Sequence, residues 1–494
     1  MLTLGIDSGT QSTKGIVLDS ESGEVLASSQ SSYELVSGLP DGHLEQRPGD
    51  WIKAATQCIK DCLASLGERK AEVVGIGVSG QQHGLVALDE EGNPVRDAKL
   101  WCDTSTVSQC EALAAEFGGS EGLIAMAGNA ILPGYTIPKL LWIKENEPEN
   151  FARIRTILLP HDYLNFWLTG KYRMEYGDAS GTGILDVRTR CWNRELTDFV
   201  DPRVEAMLPE LGSSNHPHGP LKPELATSWG LGKEVIVSAG GGDNMMGAIG
   251  TGNICPGVVT ASFGTSGTLY GCSGEPVVDP MGEVAAFCDS TDQWLPLVCT
   301  MNVTVVTEKS RALLGMNLNE LEAAVASISA GADGLTFLPY LNGERTPNLP
   351  FGKGVLHGLD QGNMTPGHIA RAAMEGATLG LAYGLQRFRD LGMTPQEIRL
   401  TGGGSKSATW RQMAADCFDA EVVCLESAEA AALGAAIQAI KTVGGEDYES
   451  LAYRLVRLDE ASRCAPVTHD RDFYTERMQR FSGLTKTLRD GGFL

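Results

Sequence analysis

The sequence predicts an α/β protein made of two similar domains, and two observations support this prediction. A strand, a Gly-Thr turn and a second strand follow one another at residues 2–18, and the same order returns at 257–272. In each half a helical segment comes next, followed by a strand that ends in a glycine, at Gly80 and at Gly402. A repeated order of elements indicates an internal duplication, so we expect the two halves to fold alike.

The first half begins with three predicted strands at 2–7, 13–18 and 24–29, which are separated by short turns. Apolar residues at helical spacing then predict a helix over 49–66. The apolar run at 73–79 predicts a buried strand that ends at the next glycine. The first domain should therefore open as a three-stranded meander, a helix and a further strand.

The second half alternates helices and strands behind the repeated turn. We place the boundary in the glycine-rich stretch 243–256 and divide the chain into residues 1–245 and 246–494. Residues 200–232, rich in Pro, Gly and Ser, are interpreted as a loop or insertion, and the end beyond residue 445 as helical and polar. The predicted elements are helices at 366–391, 408–418 and 427–442 and strands at 397–404 and 420–425.

The net charge of the chain limits the kinds of partner that it can bind. Its 494 residues include 39 Lys and Arg against 62 Asp and Glu, which gives a formal net charge of −23. An acidic protein repels nucleic acid and anionic membranes, so we expect neither as a partner. Any polyphosphate must then be bound by local devices, such as backbone amides and a metal ion.

The cysteines and the chain start point to a reducing compartment. The 12 cysteines are scattered without a CxxC pair or a Cys/His cluster, which is typical of reduced, buried thiols. The chain opens on a strand-like segment without a basic region or cleavage site. No apolar run reaches the roughly 18 residues that span a membrane. We therefore expect a soluble, cytoplasmic protein.

Two turns rich in glycine and hydroxyl groups, DSGTQS at 7–12 and SFGTSGT at 262–268, have the chemistry of a phosphate site. Glycine lets the backbone approach a phosphate group, and the exposed amides of such a turn can surround the anion. Asp7 would repel that phosphate unless Mg²⁺ lay beside it. Either turn alone is compatible with an ordinary hairpin, but the pair favours a polyphosphate site. The predicted phosphate contacts are Gly9, Thr10, Gln11 and Ser12 in the first turn and Gly264, Thr265 and Ser266 in the second.

The motif GGGDN at 240–244 places an acid directly after a strand. Asp243 can be interpreted as the cap of the following helix or as the base that accepts the proton of an attacking hydroxyl. Phosphoryl transfer needs positioning, charge neutralisation and one such base. Because a helix N-terminus favours the ionised carboxylate, we expect the pKa of Asp243 to be lowered.

A second triple glycine occurs in GGGSKS at 402–407, between a strand and a helix. Such a turn is either a plain strand-to-helix connection or a surface on which adenine and ribose lie close to the backbone. The chain contains no GxxxxGK[ST] pattern, which argues against the P-loop class of kinases.

Polar side chains follow the buried strand of the first half in the segment GQQHG at 80–84. Gln82 and His83 offer donors and acceptors that suit sugar hydroxyls, although a lone histidine is often structural. Trp101 and Asp103, in LWCD, come after the next strand-like stretch. They can form an apolar wall and a hydroxyl acceptor for a sugar, or they can simply close a loop.

With these motifs together, the chain resembles the FGGY carbohydrate kinases over nearly its whole length. GYTIPKLLWIKEN at 134–146 is similar to one diagnostic segment of that family, and GVLHGLDQGNMTPGHIARAAMEG at 354–376 to the other. The resemblance implies two ribonuclease H-like domains of the actin and hexokinase type around a nucleotide cleft. It also implies that the N-terminal domain binds the sugar and carries the first phosphate turn, while the C-terminal domain binds ATP.

The resemblance also implies roles for individual residues. Asp243 would be the catalytic base, and Asp7 and Asp243 would lie at Mg²⁺. GQQHG is similar to a pentulose-binding segment of the family, where glycerol kinases carry a different, arginine-containing segment. MNVTVVTE at 301–308 also looks like the family, without roles for its individual residues. The residues expected at the sugar are Gln82, His83, Trp101, Asp103, Asp243 and Asn244, and those expected near adenosine are Gly403, Gly404 and Lys406.

We therefore expect an ATP- and Mg²⁺-dependent kinase that phosphorylates a ketopentose, first of all D-xylulose, by direct in-line transfer to a hydroxyl activated by Asp243. A kinase for another sugar or polyol, such as ribulose, fuculose or gluconate, is the main alternative. A chaperone-like ATPase of the actin fold and a sugar sensor without catalysis are rivals from other classes. The ATPase leaves GQQHG unexplained, and the sensor leaves Asp243 unexplained. The resemblance further suggests a homodimer.

Overall fold

The computed structural model describes residues 1–232, 234–427 and 429–494, with the backbone alone at 468–472. The chain forms two compact units. Unit 1 comprises Met1–Ile254, Ser273–Leu295 and Glu429–Val456, and unit 2 comprises Cys255–Cys272, Pro296–Ala428 and Arg457–Leu494.

Unit 1 contains a seven-stranded sheet with the order β13-β14-β5-β1-β2-β3, in which β15 also pairs with β5. β1 is antiparallel to β2 and parallel to β5. The strands of unit 1 are β1 Leu2–Ser8, β2 Ser12–Asp19, β3 Val25–Ser32, β4 Glu45–Gln46, β5 Val73–Gly80, β6 Val86–Leu88, β7 Ala98–Lys99, β8 Thr156–Leu158, β9 Arg173–Glu175, β10 Leu185–Asp186, β11 Cys191–Trp192, β12 Glu210–Gly212, β13 Gly219–Pro220, β14 Ile236–Val237 and β15 Gly241–Gly242.

The helices of unit 1 include two that come from the last part of the chain. They are α1 Pro48–Leu66, α2 Val107–Glu116, α3 Gly119–Ala127, α4 Thr136–Asn146, α5 Pro148–Arg153, α6 Pro160–Thr169, α7 Tyr176–Ala179, α8 Arg194–Val200, α9 Val204–Met207, α10 Pro223–Trp229, α11 Asp243–Thr251, α16 Ala430–Gly444 and α17 Tyr448–Leu455, with 3₁₀ turns at Gly67–Glu72 and Ser180–Thr182.

Helix α16 packs on β1 and β5 at very short range, and glycines make this possible. A Cβ atom on Gly5 would lie 2.0 Å from the carbonyl oxygen of Ala432, and one on Gly77 would lie 1.9 Å from that of Ala435. Any side chain at these two positions would push the helix away from the sheet. The predicted boundary at residues 245 and 246 therefore differs from the observed division: it cuts α11, and it separates α16 from the sheet on which it packs.

Unit 2 contains a six-stranded sheet with the order β18-β17-β16-β21-β22-β23. Here β16 is antiparallel to β17 and parallel to β21. The strands of unit 2 are β16 Val258–Phe263, β17 Gly267–Gly271, β18 Leu297–Thr300, β19 Thr336–Pro339, β20 Gly354–His357, β21 Glu397–Thr401, β22 Glu421–Leu425 and β23 Leu458–Cys464, and its helices are α12 Thr304–Leu313, α13 Leu318–Ala326, α14 Pro366–Asp390, α15 Ala408–Phe418 and α18 Thr468–Asp490, with 3₁₀ turns at Ala332–Gly334 and Gly403–Lys406.

The core of unit 2 contains an aromatic group at the end of β16. The ring of Phe263 lies 5.3 Å from that of Trp410 and 6.3 Å from that of Phe418, both on α15. The Trp410 indole nitrogen donates to Thr378 Oγ1 of α14 at 2.8 Å. This hydrogen bond and the ring contacts hold α14 and α15 beside the end of β16.

The structure confirms the predicted duplication and most of the predicted elements. Each sheet opens with an antiparallel pair whose first strand also pairs in parallel with a later one. Of the two interpretations of residues 200–232, a loop is wrong in part, because α9, β12, β13 and α10 lie there, whereas an insertion stays a prediction. The end beyond residue 445 is helical in α17 and α18, but β23 also joins the sheet of unit 2.

The 12 cysteines are all free thiols in the structure. Within the described residues, no helix combines the length with the apolar character that crossing a membrane requires.

Candidate active site

The first glycine turn, between β1 and β2, is held closed by its own backbone and by Tyr33. The Gly9 amide donates to the Ser12 carbonyl at 3.0 Å, and the Tyr33 hydroxyl donates to the Gly9 carbonyl at 2.6 Å. The Tyr33 amide donates to the carbonyl of Gln11 at 3.1 Å, and Ser12 Oγ accepts from Gln30 Nε2 at 2.9 Å. The turn is therefore a fixed element rather than a loose hairpin loop.

Thr10 connects this turn to two side chains from later in unit 1. Trp101 Nε1 donates to Thr10 Oγ1 at 3.0 Å, and Gln46 Nε2 donates to the Thr10 carbonyl at 2.6 Å. Gln46 Oε1 accepts in turn from Gln81 Nε2 at 2.9 Å and from Trp51 Nε1 at 3.0 Å. The predicted phosphate turn and the predicted sugar residue Trp101 are thus joined by a direct hydrogen bond.

Asp7, at the end of β1, is a partly buried carboxylate. Burial raises its pKa to about 6, although a hydrogen bond from Ser79 and the charge of Lys14 lower it. Ser79 Oγ donates to Asp7 Oδ1 at 2.8 Å, and Lys14 Nζ is paired with Glu429 Oε2 at 2.7 Å. A carboxylate with a raised pKa gains stability when a cation binds beside it.

Asp243 is the first residue of α11, and Gly242 is the N-cap, so Asp243 is not the helix cap. Burial raises its pKa to about 7, the charges of Asp7 and Asp178 add to this, and hydrogen bonds from Asn244 lower it. The expectation of a lowered pKa is therefore wrong. The helix dipole is outweighed by burial and by two like charges, which favour the protonated form.

Asn244 joins Asp243 to Gln82. Its Nδ2 atom donates to Asp243 Oδ1 at 3.0 Å and to Gln82 Oε1 at 2.6 Å. Gln82 Nε2 points to Met245 Sδ at 3.1 Å. The structure thus brings together three of the predicted sugar residues, because β5 and α11 present them at the same edge of the unit 1 sheet.

The backbone and ring of His83 are both held by neighbours. Its φ of 62° lies in the left-handed region, and its carbonyl accepts from Lys139 Nζ at 2.8 Å and from Thr136 Oγ1 at 3.1 Å. The ring is stacked on Tyr135 with centroids 5.4 Å apart and lies 5.3 Å from the ring of Phe287. Lys139 belongs to the first family-like segment, so one role of that segment is to fix His83.

A buried histidine and its carboxylates lie next to His83, and sequence analysis missed them. His161 lies 3.0 Å from Asp178 through Nδ1 and 2.9 Å from Asp162 through Nε2. Asp178 Oδ1 lies 3.9 Å from His83 Nδ1. Although burial lowers the pKa of His161, the charges and hydrogen bonds of Asp162 and Asp178 raise it well above its usual range. The pair HD at 161–162, in the first turn of α6, was the signal available in the sequence.

The carboxylate of Asp103 is hydrogen-bonded to nearby groups of unit 1. Its Oδ1 atom accepts from the amide of Ser105 at 3.0 Å and from the Ser105 hydroxyl at 2.5 Å. Its Oδ2 atom accepts from the Leu44 amide at 2.9 Å and from Lys99 Nζ at 3.2 Å. These contacts use the acceptor positions of the carboxylate, which leaves none for a sugar hydroxyl. We therefore leave Asp103 out of the proposed sugar site.

The second glycine turn, Gly264–Gly267 between β16 and β17, is held from the start of α12. The Thr304 amide donates to the Gly264 carbonyl at 2.9 Å, and the Val303 amide donates to the Thr265 carbonyl at 3.2 Å. Ser266 follows within the same turn. The segment 301–308, to which the sequence assigned no role, thus supports the second turn.

Glu344 anchors that supporting segment. Its Oε1 atom accepts from the Met301 amide at 2.6 Å, and its Oε2 atom accepts from Asn302 Nδ2 at 3.0 Å. Burial raises the pKa of Glu344 to about 7. Asn302 Nδ2 also donates to the Gly343 carbonyl at 2.7 Å. A buried acid and a buried amide therefore fix the residues that lead into α12.

The triple glycine after β21 passes close to Phe263. Gly402 has φ 84°, and a Cβ atom there would lie 2.7 Å from the Phe263 carbonyl carbon. A Cβ atom on Gly404 would lie 3.0 Å from that of Phe263, whereas one on Gly403 would meet no atom within 4 Å. Lys406 is exposed at the end of the 3₁₀ turn. Gly403 is thus the position at which this turn leaves its backbone open.

Comparisons of the sequence and of the structure with known proteins both match the chain to carbohydrate kinases. The N-terminal domain of the FGGY family of carbohydrate kinases matches residues 2–250, and its C-terminal domain matches residues 259–443. A xylulose kinase of Haemophilus influenzae is 46% identical over 484 residues, which are 97% of this chain and 98% of that protein. A xylulose kinase of Bacillus subtilis is 35% identical over 492 residues, 99% of this chain and 97% of that one.

Solved structures of sugar kinases align with the whole chain. The "xyloylose kinase" of Brucella ovis superposes with a TM-score of 0.93 at 31% identity and covers 99% of this chain and 100% of its own. A gluconate kinase of Lactobacillus acidophilus superposes with a TM-score of 0.91 at 25% identity, covering 99% and 98%. The similarity therefore extends to relatives that are named for different sugars.

Proposed function

The chain belongs to the FGGY family of carbohydrate kinases, and from this premise we propose that it transfers the terminal phosphoryl group of ATP to D-xylulose. The products are ADP and D-xylulose 5-phosphate. The observation that carries the proposal is the bonded set Gln82–Asn244–Asp243. It places a carboxylate with a raised pKa beside amide groups that suit a polyol.

Asp243 acts as the base. Its raised pKa makes it a better proton acceptor than an ordinary aspartate, provided that it is ionised when the sugar binds. It orients the terminal hydroxyl and takes its proton as the oxygen forms a bond to the γ-phosphorus. The bond between that phosphorus and the β–γ bridging oxygen breaks, and ADP leaves with the electron pair.

The sugar is recognised by side chains of unit 1. Gln82 and Asn244 bind hydroxyl groups through their amides, and His83 contributes an imidazole nitrogen. Trp101 forms an apolar wall whose nitrogen is already engaged with Thr10. Because Gln82 is already bonded to Asn244, Trp101 to Thr10 and the His83 carbonyl to Lys139, little ordering of these groups remains to be done when the sugar binds.

Asp7 and Asp243 fit a magnesium ion. Besides burial, the charge of Asp7 raises the pKa of Asp243, so a cation at these two carboxylates would relieve their repulsion. Oxygen ligands are the donors that Mg²⁺ prefers. When bound there, the ion would neutralise charge on the phosphate oxygens.

The glycine turns bind phosphate and nucleotide through their backbones. In unit 1, the turn at 9–12 is proposed to bind the transferred phosphoryl group. In unit 2, Gly264, Thr265 and Ser266 are proposed to bind the phosphates of ATP, and Gly403, Gly404 and Lys406 its adenosine. The open backbone at Gly403 supports this assignment. We also propose that the protein is a cytoplasmic homodimer without a nucleic-acid partner.

A kinase for another sugar of the family is the second candidate, since a gluconate kinase superposes well. An ADP-release assay across ketoses, polyols and sugar acids separates the two. We expect the highest kcat/KM with D-xylulose. A higher value with gluconate, ribulose or fuculose would replace the substrate but keep the kinase. ATP hydrolysis that no sugar alters would contradict the proposed function.

A further inference from the structure

The strand that leads to Asp243 contains an extra residue. β14 ends opposite Ile76 of β5, and β15 begins opposite Ser79. Residues 238–240 therefore face residues 77–78, which is one residue more than regular pairing allows. Such a β-bulge bends the strand and re-aims the side chains that follow it.

The last residue of this bulge has to be glycine. Gly240 has φ 75°, which lies in the left-handed region. A Cβ atom there would lie 2.7 Å from the carbonyl oxygen of Val78 and 2.8 Å from Nδ2 of Asn165. Both the conformation and the space exclude a side chain, so the bulge is built into this fold.

The amide of Gln438, on α16, binds the backbone that the bulge frees. Gln438 Oε1 accepts from the Gly240 amide at 2.8 Å, and Gln438 Nε2 donates to the Gly240 carbonyl at 3.0 Å. Gln438 Oε1 also accepts from Ser238 Oγ at 2.7 Å. The side chain is 0% exposed, so these bonds replace the ladder bonds that β5 no longer supplies.

A second buried amide holds the middle of the bulge. Asn165 Nδ2, on α6, donates to the carbonyl of Ala239 at 2.7 Å. Asn165 is also 0% exposed. Two buried amides, on α6 and α16, therefore fix the backbone of residues 239–240 directly before the glycines that precede Asp243.

We propose that Gln438 is a positioning residue for Asp243: through its bonds to Gly240 it sets the bulge that aims the carboxylate at the sugar hydroxyl. The proposal rests on the proposed function, because it assumes that Asp243 is the base. The competing explanation is that Gln438 only fastens α16 to the sheet. The two explanations differ in what happens to turnover when the fold survives.

The test compares two substitutions at the contact of α16 with the sheet. Gln438→Met keeps the approximate length of the side chain but removes all three bonds to the bulge segment. Thr3→Val is the control, because Thr3 Oγ1 donates to the Ala436 carbonyl of the same helix at 3.1 Å, while Thr3 pairs with Gly75, which lies outside the bulge. We expect kcat to fall about 10–100-fold in Gln438→Met, with KM for ATP unchanged, because small misplacements of a reacting group are costly. Thr3→Val should keep the wild-type kcat.

A double-mutant cycle with Asp243→Asn separates positioning from general damage. If Gln438 acts through Asp243, adding Gln438→Met to Asp243→Asn should leave kcat within about twofold of Asp243→Asn alone. A further loss as large as in the wild-type background would overturn the proposal.

Milder variants can test the proposal if Gln438→Met does not fold. Gln438→Glu keeps both acceptor contacts and sets a carboxyl oxygen in place of the amide that donates to the Gly240 carbonyl, so its loss of kcat should be measurable. Ser238→Ala leaves both bonds to Gly240 in place and should be nearly neutral. If folded Gln438→Glu and Gln438→Met turn over like Thr3→Val while Asp243→Asn is slow, only the positioning role fails. If Asp243→Asn itself keeps wild-type turnover, the base assignment fails first.

Discussion

The strands β5 and β21 occupy the same place in the sheets of units 1 and 2, yet they end in different chemistry. Each pairs in parallel with the first strand of its sheet, β1 or β16. β5 continues into Gln81, Gln82 and His83, whereas β21 continues into consecutive glycines at 402–404. One sheet edge thus presents polar side chains, and the other presents bare backbone.

The strands that pair with β5 and β21, namely β1 and β16, also differ in the charge at their ends. Asp7 of β1 faces Ser79, and the corresponding Ser262 of β16 faces Thr401. Unit 1 therefore carries a carboxylate where unit 2 carries a hydroxyl. The comparison teaches that a duplicated fold can divide its work: acids, amides and an imidazole suit a sugar and a metal ion, while glycines suit a nucleotide that is held by backbone.

Asp243→Asn removes the acid on which the difference in chemistry between units 1 and 2 depends most. We expect kcat with D-xylulose to fall by about 10²–10⁴, because the amide cannot accept the proton. Asp447→Asn is the matched control, since Asp447 caps α17 of the same unit and asparagine caps equally well. Circular dichroism should show both variants folded. Near-normal turnover in folded Asp243→Asn would contradict the assignment of Asp243 as the base in unit 1.

Asp7→Ser makes the first strand end as uncharged as the second. We expect the Mg²⁺ concentration for half-maximal rate to rise about 10–100-fold, because a carboxylate near the ion is lost. A magnesium titration at saturating ATP and D-xylulose measures this. An unchanged magnesium dependence would mean that the charge difference between the units has nothing to do with the metal.

Gly181→Ala tests whether the placement of the His83 ring matters, without changing the ring itself. A Cβ atom on Gly181 would lie 1.9 Å from His83 Nδ1, so the imidazole must move. We expect KM for D-xylulose to rise about tenfold, within the range that one misplaced contact produces. Gly274→Ala is the control, since a Cβ atom there meets nothing within 4 Å. Equal KM values in the two variants would remove His83 from the sugar site.

The raised pKa of Asp243 predicts a small effect of pH on stability. A folded-state pKa of about 7, against an ordinary value of 3.8, means that folding favours the protonated carboxyl and that stability is lost as pH rises toward 7. The Tm of the metal-free wild type should therefore fall by a few degrees relative to Asp243→Asn between pH 5 and pH 8.

Two controls accompany this melting experiment. In Asp447→Asn the difference from wild type should stay flat over the same range, because the pKa of Asp447 is lowered by hydrogen bonds. Added Mg²⁺ should restore the wild type at pH 8 if it binds the ionised pair. A flat difference for Asp243→Asn would show that its carboxyl titrates like an exposed one.

Local patterns predicted the elements and both turns. The strands around 7–12 and 262–268 follow from period-two runs that break at glycine, and α14 follows from helical spacing. The motif GGGDN singled out Asp243 in the same way. These features depend on residues close together in the chain, which is why the sequence was sufficient.

Long-range packing accounts for what the sequence did not predict. Gly5 and Gly77 admit α16 into unit 1, and no local pattern relates them to a helix that begins at residue 430. The pKa of Asp243 was predicted in the wrong direction because burial, and after it the charges of Asp7 and Asp178, act on this carboxyl only in the folded protein. His161 escaped notice for the same reason, since its second carboxylate partner, Asp178, lies beside it only in the folded protein.

The division of labour between the two sheet edges is tested most directly by calorimetry on His83→Ala and Gly403→Val. D-xylulose and ADP are titrated separately into each variant and into the wild type. We predict that His83→Ala weakens D-xylulose binding by about tenfold or more and leaves ADP binding unchanged, whereas Gly403→Val does the reverse. The opposite pattern, with ADP lost in His83→Ala and D-xylulose lost in Gly403→Val, would contradict the assignment of sugar to unit 1 and nucleotide to unit 2.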